Sequence, residues 1–210
     1  MTAIPRIETK RLILRGHAIQ DFDALHAMLT EPAVYRNTIG HPATREEAWS
    51  RLLRYLGHWA PLGYGYWMVV EKSTGNFVGE MGFADFHRDL DPSLDGQPEL
   101  GWILKTSAHG KGYATEALTA ITSWGDAQFG AKETACIISP ENGPSIRVAR
   151  KIGYQEKLRT FYKDNMVILL TRHQELNAAI SPETLQPAAP ACRPQPWPAC
   201  RAPNPTRQAK

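Results

Sequence analysis

Glu99-Leu100-Gly101-Trp102-Ile103-Leu104, followed at once by Lys105-Thr106-Ser107-Ala108-His109-Gly110-Lys111-Gly112-Tyr113-Ala114-Thr115, is the stretch on which the fold turns. Its first six residues read as a strand. Beyond Gly112 the apolar residues Ala114, Ala117, Leu118, Ile121 and Trp124 recur at helical spacing. A strand that runs through a glycine loop into a helix makes an anion site, because the unpaired N–H groups of the first helical turn and the helix dipole both favour negative charge there. Gly110 and Gly112 carry no Cβ and let a ligand approach the backbone, while His109 and Lys111 add local positive character. The spacing is wrong for two common phosphate loops. A Walker A loop needs four residues between its glycines and then Lys-Ser/Thr. A dinucleotide fingerprint needs a third small residue, where this chain has Thr115, and an early place in a βαβ unit. Taken alone the loop fits either an anion at a helix start or a tight strand-to-helix turn.

Upstream, Arg11 to Arg15 reads as a strand, and Phe22, Leu25, Met28 and Leu29 give one helical face that Pro32 ends. Thr44-Arg45-Glu46-Glu47 is a capping box that opens a helix running to about Trp59, stopped by Pro61-Leu62-Gly63. The period then changes. Tyr66 to Val70 and Phe77 to Phe86 flank the turn Ser73-Thr74-Gly75-Asn76 and predict a hairpin, whose Gly79 and Gly82 point to a bulge or a close backbone approach. Residues 89–98 are polar and turn-rich and read as a loop. Downstream, Thr134 to Ile138 reads as a strand buried on both faces, Asn142-Gly143-Pro144-Ser145 opens a short helix, and Gly153 stands where a helix-closing glycine belongs. Tyr154 to Thr160 and Asn165 to Leu170 read as two final strands.

The run Asn142-x-x-Ser145-x-x-x-x-x-Lys151-x-Gly153-Tyr154 follows the glycine loop after one helix and one short strand. Together the two motifs resemble the coenzyme A motifs of the GNAT superfamily of N-acetyltransferases. Glu8 with Lys10-Arg11-Leu12-Ile13-Leu14-Arg15, the strand from Glu99 to Leu104, and Gly110-Lys111-Gly112-Tyr113-Ala114-Thr115-Glu116-Ala117 resemble its RimJ/RimL-like branch. The resemblance covers roughly Arg6 to Leu170. It implies an α+β fold: one mixed, mostly antiparallel sheet of about six or seven strands, helices on both faces, and a splayed parallel pair at the cofactor site. It also implies acetyl-CoA as cofactor. The pantetheine arm would pair with backbone near Ile103 and Leu104, and the pyrophosphate would lie on His109, Gly110, Lys111, Gly112, Tyr113 and Ala114. Asn142 would hydrogen-bond the pantetheine or its neighbouring backbone, and Ser145 would sit near the sulfur. Ser107 stands where family members often carry glutamine or arginine.

Acyl transfer from a thioester requires a neutral amine, a donor for the developing oxyanion and a fate for the thiolate. The resemblance makes Glu99 the base candidate, through water, and gives the oxyanion a backbone N–H near Trp102 or Ile103. The alternative for Glu99 is a solvated carboxylate at a strand end. Asp85, His87 and Asp95 are weaker candidates. Many members place a tyrosine acid four residues after the motif serine, where this chain has Ala149; Ser145 is then the candidate acid, against a plain helix-start role. The acceptor, a small-molecule or protein N-terminal amine, would lie between Val34 to Pro42 and Phe161-Tyr162, with Tyr35, Tyr64, Tyr66 and Trp67 as candidate walls. A catalytically silent acyl-CoA-binding module is the competing reading.

The bulk properties set the frame. A chain of 210 residues, 42% hydrophobic and 21% charged, can bury a core and suits one domain at 1–175. A net charge of +3 is too small to argue for nucleic acid. Cys136 sits in an apolar run, and the 3 cysteines show neither a disulfide framework nor zinc-ligand spacing, so no metal is expected. No apolar run approaches membrane-spanning length and Met1 to Pro5 shows no leader pattern, so the expected location is cytoplasmic and the expected state monomer or homodimer. Between Pro182 and Pro205 lie eight of the 16 prolines, with Leu185 and Trp197 the only large apolar side chains, so 176–210 is expected to be a disordered tail.

Overall fold

The computed structural model describes residues 4–173, and the proline-rich segment 176–210 lies outside them. The strands are β1 (Ile7–Glu8), β2 (Leu12–Arg15), β3 (Tyr66–Glu71), β4 (Phe77–Ala84), β5 (Glu99–Leu104), β6 (Thr134–Ile138), β7 (Gln155–Tyr162) and β8 (Asn165–Arg172). The helices are α1 (Phe22–Leu29), α2 (Pro32–Tyr35), α3 (Arg45–Leu62), α4 (Tyr113–Phe129) and α5 (Gly143–Lys151). All strands join one 8-stranded sheet in the order β1-β2-β3-β4-β5-β6-β8-β7. The α+β mixed sheet is as expected, with more strands than the expected six or seven. The added strand is β1, whose two residues pair Ile7↔Leu14 and Glu8↔Ile13. Two residues are too few to print an alternation in the sequence.

The Thr44 capping box forms as read. Glu47 N donates to Thr44 Oγ1 at 3.2 Å and Thr44 N donates to Glu47 Oε2 at 2.8 Å. From there Ala48, Leu52, Tyr55 and Trp59, three or four residues apart, form the buried face of α3. The helix continues past Trp59 to Leu62 and takes Pro61 into its last turn before Gly63, at φ +74, closes it in the left-handed region. Thr44→Ala is expected to lower unfolding stability by about 1 kcal/mol in urea titration, because it orphans one first-turn donor. Pro32 does more than stop α1. It is the first residue of α2, where a missing N–H costs nothing.

Strands β3, β4 and β5 form an antiparallel meander. Gly79 and Gly82 mark close approaches, since a Cβ on them would meet Ile103 O at 2.2 Å and Gly65 O at 2.3 Å. The bulge lies beside them at Val78, between the pairs Val69↔Gly79 and Val70↔Phe77. Leu100 and Leu104 of β5 pack with Ala117, Leu118 and Ile121 of α4. Ile103, next in the chain and therefore on the other face, packs with Leu25, Met28 and Leu52 of α1 and α3. Trp67 meets Trp59 and Trp124 edge-on at 4.7 and 5.0 Å. The loop 85–98 is less polar in its packing than in its composition, because Leu90 and Leu94 bury against Ala135, Val167 and Leu169.

One pairing decides the site. Strands β5 and β6 run parallel, and their only register pair is Glu99↔Ala135. Beyond it both strands continue, to Leu104 and Ile138, without pairing to each other, so the sheet opens into a V.

Candidate active site

Beyond Glu99 the edge of β5 that faces β6 makes no strand pairing with it. Such an edge accepts an extended ligand with amide groups as it would accept a strand. The chain leaves β5 through a 3-10 turn (Thr106–Ala108) and enters α4 at Gly112. Gly110 and Gly112 stand at φ +73 and +77, a region costly for any residue with a Cβ. No side chain caps α4. His109 Nε2 lies 3.0 Å from the Leu104 carbonyl, a contact that requires the proton on Nε2, and it ties the turn back to β5.

A cavity of about 750 Å³ runs along the open edge. Ile103, Leu104, His109, Gly110, Gly112, Tyr113, Ala114, Asn142 and Ser145, all expected cofactor contacts, line it. Its far wall includes Val34, Arg36, Asn37 and Thr38 of the expected acceptor region. Arg147 and Lys151, one turn apart on α5, bring two cations to it. The Lys111 side chain does not line this cavity. It lines a second hollow of about 140 Å³ with Lys105 and Ser107.

Asn142 is the N-cap of α5, its Oδ1 accepting from Ser145 N at 3.2 Å. One contact thus sets both motif residues at the cavity wall. Ala149, the place of the family's tyrosine acid, is fully buried in the main core. Cys136 is a buried core thiol, as expected, and burial pushes its pKa well up.

Glu99 lies at the apex of the V and is 4% exposed, so it is not a solvated strand-end carboxylate. It is outside the cavity lining. Both its oxygens accept from Arg88, Oε2 from Nε and Oε1 from Nη2, each at 2.8 Å. The guanidinium in turn lies 4.5 Å from the Phe86 ring centre and 4.9 Å from that of Tyr162. Arg88 was invisible in sequence because it sits in a polar loop with no period. Asp85, His87 and Asp95 cluster nearby, with ligand atoms within 4.8 Å of one another. The aromatics expected to line the acceptor site do not line the cavity. Trp67 is core, Tyr66 stacks on Tyr55 at 4.3 Å, and Tyr64 packs edge-on against Phe129.

A buried ion pair also escaped the sequence. Glu80, mid-way along β4 and 0% exposed, accepts from Arg51 Nε at 2.6 Å, and His17 Nε2 stands 3.5 Å away. Burial alone would raise the Glu80 pKa, but the Arg51 charge and the neighbouring His17 outweigh it and hold the carboxyl below its usual range.

An amide-pairing edge, a helix start at two left-handed glycines and two α5 cations suit a long ligand with amides at one end and phosphates at the other. Comparison with known proteins agrees. The model of the acetyltransferase (GNAT) domain matches residues 11–155. The uncharacterized protein YkkB of Bacillus subtilis is 36% identical over 107 residues, a stretch that takes in 48% of this chain and 59% of YkkB. The uncharacterized N-acetyltransferase p20 of Bacillus licheniformis is 25% identical over 158 residues, 74% of this chain and 86% of p20. The crystal structure of an acetyltransferase from Agrobacterium tumefaciens superposes with a TM-score of 0.71 at 27% identity, covering 83% of this chain and 97% of that one. With its domain matched from the second strand to the last hairpin, and its sheet splayed where an acyl carrier would enter, this chain belongs to the GNAT family of acetyltransferases, enzymes that draw their acetyl group from acetyl-CoA.

Proposed function

We propose that this acetyltransferase acetylates a primary amine, either a protein N-terminal amine as in the RimJ/RimL-like branch or a small-molecule amine, by direct attack within a ternary complex. The observation that carries the reading is the cavity running unbroken from the β5 edge to the glycine loop and α5. When bound, acetyl-CoA supplies an acetyl group activated as a thioester. Backbone at Ile103 and Leu104 holds the pantetheine arm. The loop from His109 to Ala114 holds the diphosphate, and Arg147 and Lys151 add positive charge beside it. In this reading Ser145 meets the thiolate, a role supported by the Asn142 contact that holds its backbone N–H at the cavity wall.

Glu99 is the base in this reading. Arg88 takes one lone pair on each oxygen, and each oxygen keeps another that can accept from a water bound to the amine. Arg88 is then a positioning residue that fixes the carboxylate. Glu99→Gln is expected to lower turnover by about 10²–10⁴-fold, the usual size of a general-base contribution, with coenzyme A affinity unchanged. Wild-type turnover across pH would remove Glu99 from the mechanism. The wider test incubates the protein with acetyl-CoA and amines, amino acids, aminoglycosides or ribosomal N-terminal peptides and follows thiol release. Tight coenzyme A binding with no transfer to any amine would sink the proposal.

A further inference from the structure

The chemistry above makes no use of Thr9 and Arg11, in the turn between β1 and β2, yet Arg11 reaches the glycine loop and Thr9 the first turn of α4 behind it. Arg11 Nη1 donates to the Lys111 carbonyl at 2.9 Å. Its guanidinium lies 4.5 Å from the Tyr113 ring centre. A Cβ on Gly112 would stand 3.5 Å from its Nη2. Three successive loop residues therefore meet one side chain. Glu116, in the first turn of α4, holds that side chain in place. It accepts from Arg11 Nε at 2.7 Å, from Arg11 N at 2.8 Å and from Thr9 Oγ1 at 2.6 Å. The edge of Tyr113 is fixed as well, its hydroxyl donating to Glu71 at the end of β3. The next residue, Lys72, donates its N–H to the Arg11 carbonyl at 2.8 Å.

Fold stability does not account for this arrangement. The Arg11 side chain is 42% exposed, and ion pairs at such exposure contribute little to stability. Binding does account for it. A loop with glycines at 110 and 112 has more backbone freedom to lose than any other composition, and that loss weakens binding unless it precedes the ligand. We propose that Arg11 is the positioning residue of the diphosphate loop, holding residues 111–113 in their binding conformation in the free protein. The proposal rests on the assignment of this loop to the diphosphate of coenzyme A. A planar fork is needed for the task, since an ammonium cannot donate to the Lys111 carbonyl and the Glu116 carboxylate while stacking on Tyr113.

The test compares wild type, Arg11→Met and Arg11→Lys by calorimetry with coenzyme A, and by ligand-observed NMR with pantetheine, which lacks the diphosphate. Arg11→Met is expected to weaken coenzyme A about tenfold, ~1.4 kcal/mol, and to leave pantetheine binding unchanged. Arg11→Lys is expected not to restore the loss. Unchanged coenzyme A affinity in Arg11→Met, equal losses for both ligands, or full restoration by lysine would each overturn the proposal alone. Wild type that binds coenzyme A no better than pantetheine would overturn the loop assignment itself. Should Arg11→Met fail to fold, ¹⁵N relaxation of the free wild type decides. Order parameters at 110–113 near about 0.85 are expected, and values below about 0.6 overturn it.

Discussion

Gly112→Asp is expected to weaken coenzyme A binding about a hundredfold, ~2.7 kcal/mol, while leaving the protein folded. Gly112 is the residue from which α4 starts, with φ at +77 and no side-chain cap over the first turn. The N–H groups of that turn are free for a ligand, and they are the donors a phosphate would take. A carboxylate at 112 places negative charge where the diphosphate would lie and competes for those donors. The fold tolerates it for two reasons. Aspartate enters the left-handed region more readily than most residues. Its Cβ would also stand 3.5 Å from Arg11 Nη2, within reach of a compensating cation. Gly112→Asn has nearly the same shape without the charge, so the difference between the two variants isolates electrostatics from backbone strain. Calorimetry with coenzyme A reads both, and an aspartate variant within threefold of wild type would count against the loop as the diphosphate site.

Local signals in the sequence carried most of the fold. The strand from Glu99 to Leu104 and the strand from Thr134 to Ile138 have the bounds their apolar runs suggest. The Thr44–Glu47 box and Gly153, at φ +92 after α5, are chemical punctuation that needs no tertiary partner. What stayed hidden depends on distant partners. The two-residue β1 exists because Ile7 and Glu8 meet Leu14 and Ile13. Leu90 and Leu94 looked like isolated apolar residues in a polar loop until Val167 and Leu169 covered them. The same division runs through the site. Gly110, Gly112, Asn142 and Ser145 were legible because the local geometry of each, a left-handed φ or a helix cap, depends on its own backbone or the next turn. Arg88 and Arg11 were not, because their meaning lies in a carboxylate 11 residues away and a helix turn 105 residues away.

Arg51→Met should destabilise the protein at pH 8 by roughly 3–5 kcal/mol, the cost of leaving one partner of a buried ion pair alone. Glu80 is 0% exposed, and Arg51 is its closest charge at 2.6 Å. The pH dependence should change sign. In the wild type the folded carboxyl titrates below its unfolded value, although burial opposes this, because Arg51 and then His17 favour the charged form. That contribution to stability is full above the unfolded pKa and is lost as pH falls through the folded one. Without Arg51 the burial effect prevails and the folded pKa rises above the unfolded value. The folded state then binds the proton more tightly, so acidification through the folded pKa toward the unfolded one recovers part of the loss. Urea titrations at pH 5 and pH 8 test this directly. The gap between wild type and Arg51→Met should be wide at pH 8 and narrower at pH 5. The double change Arg51→Met with Glu80→Met removes both charges and should recover most of the stability, as apolar replacements of buried pairs commonly do. A gap of less than about 1 kcal/mol at pH 8, comparable to an ordinary surface pair, would mean that water reaches Glu80 and that the pair is not buried in solution.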